Sequence, residues 1–346
     1  MKSGQRILVT GAAGYIGSML VRELLASGFR VLAVDRMYFG EKSLGDLMAN
    51  PSFALLRTDV CRLEAQHLRG VHAVVDLAAI SNDEAAELDP LWTDTVNHRA
   101  RVRLASLARD AGVARHVLVS STSVYGCVTG AEVDETAAPQ PLNAAARAAV
   151  LAEQGCLALA QQGFSPSVLR LGTVYGLSPR MRFDLVVNTM TLGAYRHRSI
   201  MIDGSGQQCR PHVHVLDVAR AVLATLQTPA EAVHGEVFNI GQANMRVCDI
   251  ADIVRDVLGS SVSVHRNHER ADPADVRVRF GKAVLQLGWQ PRGSIYTAVY
   301  DIATALAAGR LLDTPETYTL QWYRHLRACE QALRSGNDTS PNRVVH

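Results

Sequence analysis

Short apolar runs and longer helical patterns alternate along the first half of the chain. The runs at 6–9, 31–34, 54–56, 73–77, 117–120 and 167–171, built largely of Val, Leu and Ala, end in turn residues and predict strands. Between them, 15–26, 90–111 and 142–161 place apolar residues at helical spacing. Strand and helix in alternation imply parallel strands joined by right-handed crossovers, and hence an α/β fold with a doubly wound parallel sheet. Beyond Gly176 the pattern loosens into Pro-, Gly- and Arg-rich loops, with helices expected at 184–192, 216–226 and 249–258 and a strand at 237–240. Residues 1–178 therefore read as one domain to which 213–245 returns. Residues 179–212 and 246–334 read as a smaller, mainly C-terminal substrate-binding domain, and the polar stretch 335–346 as a disordered tail.

Charge narrows the partners. A formal net charge of +2 over 346 residues leaves no basic excess of the kind that nucleic acid or an anionic membrane would attract. No apolar run approaches a membrane span, and the start, MKSGQRILVTGAAG, lacks the apolar core of a signal peptide. Six cysteines lie scattered without a CxxC or a His/Cys cluster, which reads as reduced thiols in a cytoplasmic protein with no metal site. His212 and His214 alternate along an expected strand before Asp217, but no further ligand spacing accompanies them, so a structural role is favoured.

The first candidate chemistry follows the first strand. Gly11, Gly14 and Gly17 form a GxxGxxG run that leaves a strand and opens a helix, where glycines allow a pyrophosphate to approach backbone N–H groups at the helix N-terminus. Asp35 closes the second strand at the place where a carboxylate accepts both hydroxyls of an adenosine ribose. Its charge would repel a 2′-phosphate, a repulsion that Arg36 only partly offsets, so NAD is expected over NADP.

Together with motifs further along, these residues resemble the extended short-chain dehydrogenase/reductase family, in its NAD-dependent sugar-nucleotide epimerase/dehydratase group. The likeness runs from Arg6 to about Pro291. It implies a Rossmann sheet, NAD contacts from Tyr15, Ile16, Asp59, Val60, Leu77, Ala78, Ala79 and Asn97, and a catalytic hydroxyl from Ser121 in the Ser120-Ser121-Thr122-Ser123-Val124-Tyr125-Gly126 motif. It further implies that Ser120, Thr173 and Val174 lie against the cofactor. A nucleotide diphosphate-sugar substrate would meet Ser81, Thr122, Ser123, Arg182, Asn188, Arg210 and the weaker candidate Arg277. A homodimer through the long helices is also implied.

In that family a tyrosine is the base, and a lysine four residues later on the same helix face lowers its pKa and holds the nicotinamide ribose. The matching segment is Pro141-Leu142-Asn143-Ala144-Ala145-Ala146-Arg147-Ala148-Ala149, with Ala-Glu-Gln at 152–154. Its flanks fit, but Ala145 and Ala149 occupy the two reactive positions. Replacement of both groups by alanine inside an intact motif favours a deliberate paired substitution over natural loss of the chemistry. The expected result is a nearly inactive variant that still binds NAD.

Thr122 and Ser123 stand where family dehydratases carry Asp and Glu, which demotes dehydration. An epimerase, oxidising a sugar hydroxyl and returning the hydride, is the leading expectation. A reductase or dehydrogenase of the same family, and a non-catalytic NAD-binding regulatory protein, are the alternatives.

Overall fold

The structure, a computed structural model, describes residues 1, 3–128, 130–267, 269 and 275–336. Its strands are β1 (Arg6–Thr10), β2 (Arg30–Asp35), β3 (Phe53–Arg57), β4 (Val71–Asp76), β5 (Arg115–Ser121), β6 (Ser165–Leu171), β7 (Thr173–Tyr175), β8 (Ser199–Asp203), β9 (Cys209–His214), β10 (Val237–Ile240), β11 (Ala243–Arg246) and β12 (Ser263–Asn267). The α-helices are α1 (Gly17–Ala26), α2 (Asp83–Glu87), α3 (Pro90–Asp94), α4 (Ala100–Asp110), α5 (Ala144–Leu157), α6 (Val186–His197), α7 (Val215–Gln227), α8 (Ala230–Val233), α9 (Val247–Leu258), α10 (Gly281–Leu287), α11 (Ile295–Ala307) and α12 (Thr319–Gly336).

Seven parallel strands form the central sheet in the order β10-β6-β5-β4-β1-β2-β3. Alternation along β1 divides the core between the two faces. Ile7 and Val9 pack with Leu20 and Leu24 of α1 and Val218 and Val222 of α7, while Leu8 packs with Leu104 of α4 and Ala152 and Cys156 of α5. Both faces being covered explains why β6 is buried along its whole length. The chain direction reverses between β1 and β4, so a crevice opens at the carboxyl ends of these strands. Small sheets β11-β9-β7 and β12-β8 stand apart from the central one, and β10 joins that sheet beside β6.

Several element ends differ from the expectation. The helix expected over 90–111 is interrupted by a π-helical turn at Thr95–Arg99, within which the Asn97 side chain bonds both backbone groups of Ile80. The helix expected from 184 begins at Val186, because Asp184 holds Arg182, and it runs on to His197, where Arg198 turns left-handed at φ 51°. The tail expected from 335 starts later. Helix α12 extends to Gly336, and 337–346 lie outside the described residues.

Two buried histidines make the fold acid-sensitive. His116 on β5 is fully buried with neither ring nitrogen hydrogen-bonded, and burial pulls its pKa down to about 4. His212 on β9 is pulled to about 4 for the same reason, with Nε2 unpartnered. Both remain neutral in the folded chain while the unfolded chain takes up protons near pH 6.5, so stability falls as pH drops from there toward 4. The expected loss is about 2 kcal/mol per histidine by about pH 5, read as a falling free energy of urea unfolding between pH 7 and 5. A flat profile over that range would refute it.

Candidate active-site cleft

The crevice is shaped by backbone and by one buried ion pair. Gly11 adopts φ 64°, and a Cβ there would lie 3.0 Å from the Leu77 carbonyl carbon and the Ala78 nitrogen. A Cβ on Gly17 would fall 2.1 Å from the Gly11 carbonyl oxygen. No side chain fits at either position, so backbone from two strands closes into a cradle. Thr10 braces its floor: its hydroxyl donates to Asp76 Oδ1 at 2.6 Å and accepts from the Leu77 and Ala78 N–H groups at 3.1 Å each. Arg101 neutralises Asp76 from below at 3.2 Å and donates to the Asp76 and Val119 carbonyls.

Asp35 ends β2 at the rim of this cradle. Its carboxylate accepts from the Ala13 N–H at 3.0 Å and the Met37 N–H at 2.7 Å, and burial raises its pKa against those bonds. Arg36 turns away to pair with Asp59 at 2.8 Å and to cover the Tyr38 ring. Asp59 also caps the turn that carries the buried Val60.

A residue overlooked in the sequence completes this end. Arg180 is buried, stacks 3.7 Å over Phe39, and has no hydrogen-bond partner at Nε. Burial, with the charge of Arg182 beside it, pulls its pKa down to about 10, and Asp35 and Asp184 only partly balance it. Such an under-neutralised cation next to the ribose-side carboxylate fits an anion such as a pyrophosphate. The available signal was its place just past Gly176 after Pro179, in a stretch that reads only as loop.

Helix α5 forms the opposite wall. Asn143 caps it by accepting from the Ala146 N–H at 2.8 Å, and its alanine-rich run has Ala144, Ala146 and Ala148 buried. Ala145 and Ala149 are only half-buried, the former against Ile80 and Tyr323 and the latter against Val124 and Val278. Ser121, at the end of β5, accepts from the Ser123 N–H at 3.1 Å, which leaves its hydroxyl proton free for an outside acceptor.

Other expected site residues spend their side chains within the protein. Tyr15 donates to the Gly176 carbonyl at 2.6 Å, and Asn188 bonds Gly176, Tyr15 and Arg182. Ser120 donates to Glu153, and Thr122 is buried on the Leu171 carbonyl. Asn97 clamps Ile80 as described. These five shape the cleft through their hydrogen bonds and offer a ligand few free polar atoms. Arg182 holds Asp184 through two nitrogens at 3.0 and 2.8 Å and donates to Ser81 at 3.1 Å. Arg277 is half-exposed, 3.9 Å from Asp275.

Arg210 differs from its neighbours. It is half-buried on β9, its pKa is lowered by burial, and its nearest charges are Asp83 and Asp275. Among the described residues no carboxylate lies within ion-pair distance of it, so its guanidinium is available to an anion entering the cleft. His212 and His214 face the protein, His212 Nδ1 lying 2.8 Å from the Arg210 carbonyl and His214 capping α7. No helix among the described residues is long and apolar enough to cross a membrane.

Residues 7–241 match the model of the NAD dependent epimerase/dehydratase family. The chain is 28% identical over 308 residues to UDP-glucuronic acid decarboxylase 1 of Arabidopsis thaliana, covering 84% of this chain and 67% of that protein. It is also 28% identical to the UDP-glucuronate 4-epimerase of Thermodesulfobacterium geofontis, covering 83% and 92%. Among solved structures, MoeE5 in complex with UDP-glucose and NAD superposes with a TM-score of 0.75 at 29% identity, over 88% of this chain and 100% of that one. UDP-glucuronic acid 4-epimerase from Bacillus cereus, in complex with UDP-glucuronic acid and NAD, gives 0.79 at 25% identity, over 88% and 99%.

Proposed function

The chain belongs to the NAD-dependent epimerase/dehydratase family, and from that premise we propose that it binds NAD and a UDP-sugar in the epimerase manner but lacks the general base that epimerisation needs. Arg210 carries this reading: a half-buried guanidinium with no carboxylate in ion-pair range, placed across the cleft from an intact dinucleotide cradle.

The cradle at Gly11 and Gly17 would take the cofactor's pyrophosphate, with Arg180 as its counter-charge, and Asp35 would accept the adenosine ribose hydroxyls. When bound, NAD supplies the hydride acceptor and donor. Arg210 would hold the substrate diphosphate, and Ser121 would donate its free hydroxyl proton to the sugar oxygen at the reacting carbon. Oxidation there requires that oxygen to release a proton. A methyl group at 145 cannot take it, and a methyl group at 149 can neither lower a base's pKa nor hold a ribose. Substrate is thus held and oriented while the proton transfer has no side-chain acceptor on α5. The absent acid and base at Thr122 and Ser123 disfavour a dehydratase.

The two alanines equally suit a non-catalytic NAD-binding regulator, and one titration separates the two readings. With NAD saturating, UDP-glucose is expected to raise the melting temperature above that of the NAD complex, and Arg210→Met to remove that increment while keeping the NAD increment. An NAD increment with none from any nucleotide sugar would favour the regulator and sink the enzyme-derived reading.

A further inference from the structure

The cleft wall facing Arg210 is made by Ser81, Asn82 and α2, and it is fastened at both ends. Asn82 caps α2 and donates to Asp184 at 3.3 Å, and Ser81 accepts from Arg182. At the other end Glu87 accepts the Ala144 N–H at 2.7 Å, and Asn143 hydrogen-bonds Asp83. Asp83 is therefore anchored two residues from Ala145 on one side and lies in the field of Arg210 on the other. Solvent reaches its carboxylate, yet protein encloses it enough for burial to raise its pKa. Among the described residues no guanidinium is within ion-pair distance of it. Glu87 is turned to the α5 N-terminus and Arg182 to Asp184, so neither neutralises Asp83 directly.

We propose that Asp83 is a specificity-determining residue of the sugar site, an acceptor for the hydroxyl or ammonium protons of a neutral or amino sugar that rejects sugars bearing a carboxylate. The assignment rests on the UDP-sugar reading above and deepens it. A diphosphate on Arg210 and a reacting carbon at Ser121 fix the two ends of the sugar, and Asp83 stands between them. Two of the relatives named above act on glucuronate by name. In this cleft a glucuronate carboxylate would meet Asp83 charge to like charge, in surroundings where water screens poorly and Arg210 is occupied by the diphosphate.

The test uses the full chain with saturating NAD and calorimetric titration of UDP, UDP-glucose, UDP-glucosamine and UDP-glucuronate, with and without Asp83→Asn. UDP-glucose and UDP-glucosamine are expected to bind roughly tenfold or more tightly than UDP-glucuronate near pH 7, and Asp83→Asn to bring that ratio close to unity. Taking the ratio cancels any common change in diphosphate affinity, and an unchanged NAD affinity reports that the variant is folded. If UDP binds but UDP-glucuronate matches UDP-glucose, or if Asp83→Asn leaves the ratio as it was, the assignment is overturned while the UDP-sugar reading stands. If UDP does not bind, that reading falls and Asp83 with it.

Discussion

The chain carrying Ala145→Tyr and Ala149→Lys together is expected to turn over its nucleotide sugar about 10²- to 10⁴-fold faster than the chain without them, the range a positioned general base contributes. The positions are four apart on α5, hence on one helix face, and both are half-buried beside the end of β5. A tyrosine alone gives less. A phenol with an ordinary pKa near 10 is ionised only about once in a thousand molecules at neutral pH, and the lysine's charge is what draws it down. Ala145→Tyr by itself should therefore show its activity at higher pH than the double variant, and the two pH profiles separate base from base-plus-tuner. If the double variant melts at an unchanged temperature, still binds NAD and UDP-glucose, and gains nothing, then α5 is not the wall that carried the chemistry.

How much of this was legible in the sequence depended on whether the signal was local. Glycines 11 and 17, Asp35 and the strand pattern were readable because each is a property of a few adjacent residues, and the structure brings them to one crevice. The five inward-facing residues were not. A motif places Asn188 or Tyr15 near the cleft, but only the fold reveals that Asn188 is occupied by Gly176, Tyr15 and Arg182. The same limit hid α12. Its Tyr323 packs against Tyr38, Phe39 and Trp92, and Trp322 donates to the Tyr38 carbonyl, so the last helix straps the loop after β2 through contacts nearly three hundred residues apart. Arg180 was missed for the opposite reason, standing in a stretch with no periodicity at all.

Glu153 and Arg170 show what such distant pairing does for stability, and they carry the second large expected effect. Glu153 lies two turns beyond Ala145 on α5, and its carboxylate accepts from Arg170 at 3.1, 3.1 and 2.6 Å and from the Ser120 hydroxyl. Arg170 also donates to the Tyr125 hydroxyl at 2.9 Å, and Tyr125 donates to Asn239 at 2.8 Å, joining α5, β5, β6 and β10 through one buried chain. Both charged side chains are nearly inaccessible, at 6% and 4% of their surface. Arg170→Met leaves the carboxylate buried without its partner, so it should cost about 3–5 kcal/mol of unfolding free energy. Removing both charges, as Arg170→Met with Glu153→Leu, should recover most of that loss, because two apolar groups of similar size leave nothing uncompensated except the Ser120 and Tyr125 hydroxyls. Urea unfolding of the four chains in this cycle reads the coupling. A double variant no more stable than Arg170→Met alone would show that the cost came from packing, and that the ion pair is not what fastens α5 to the sheet.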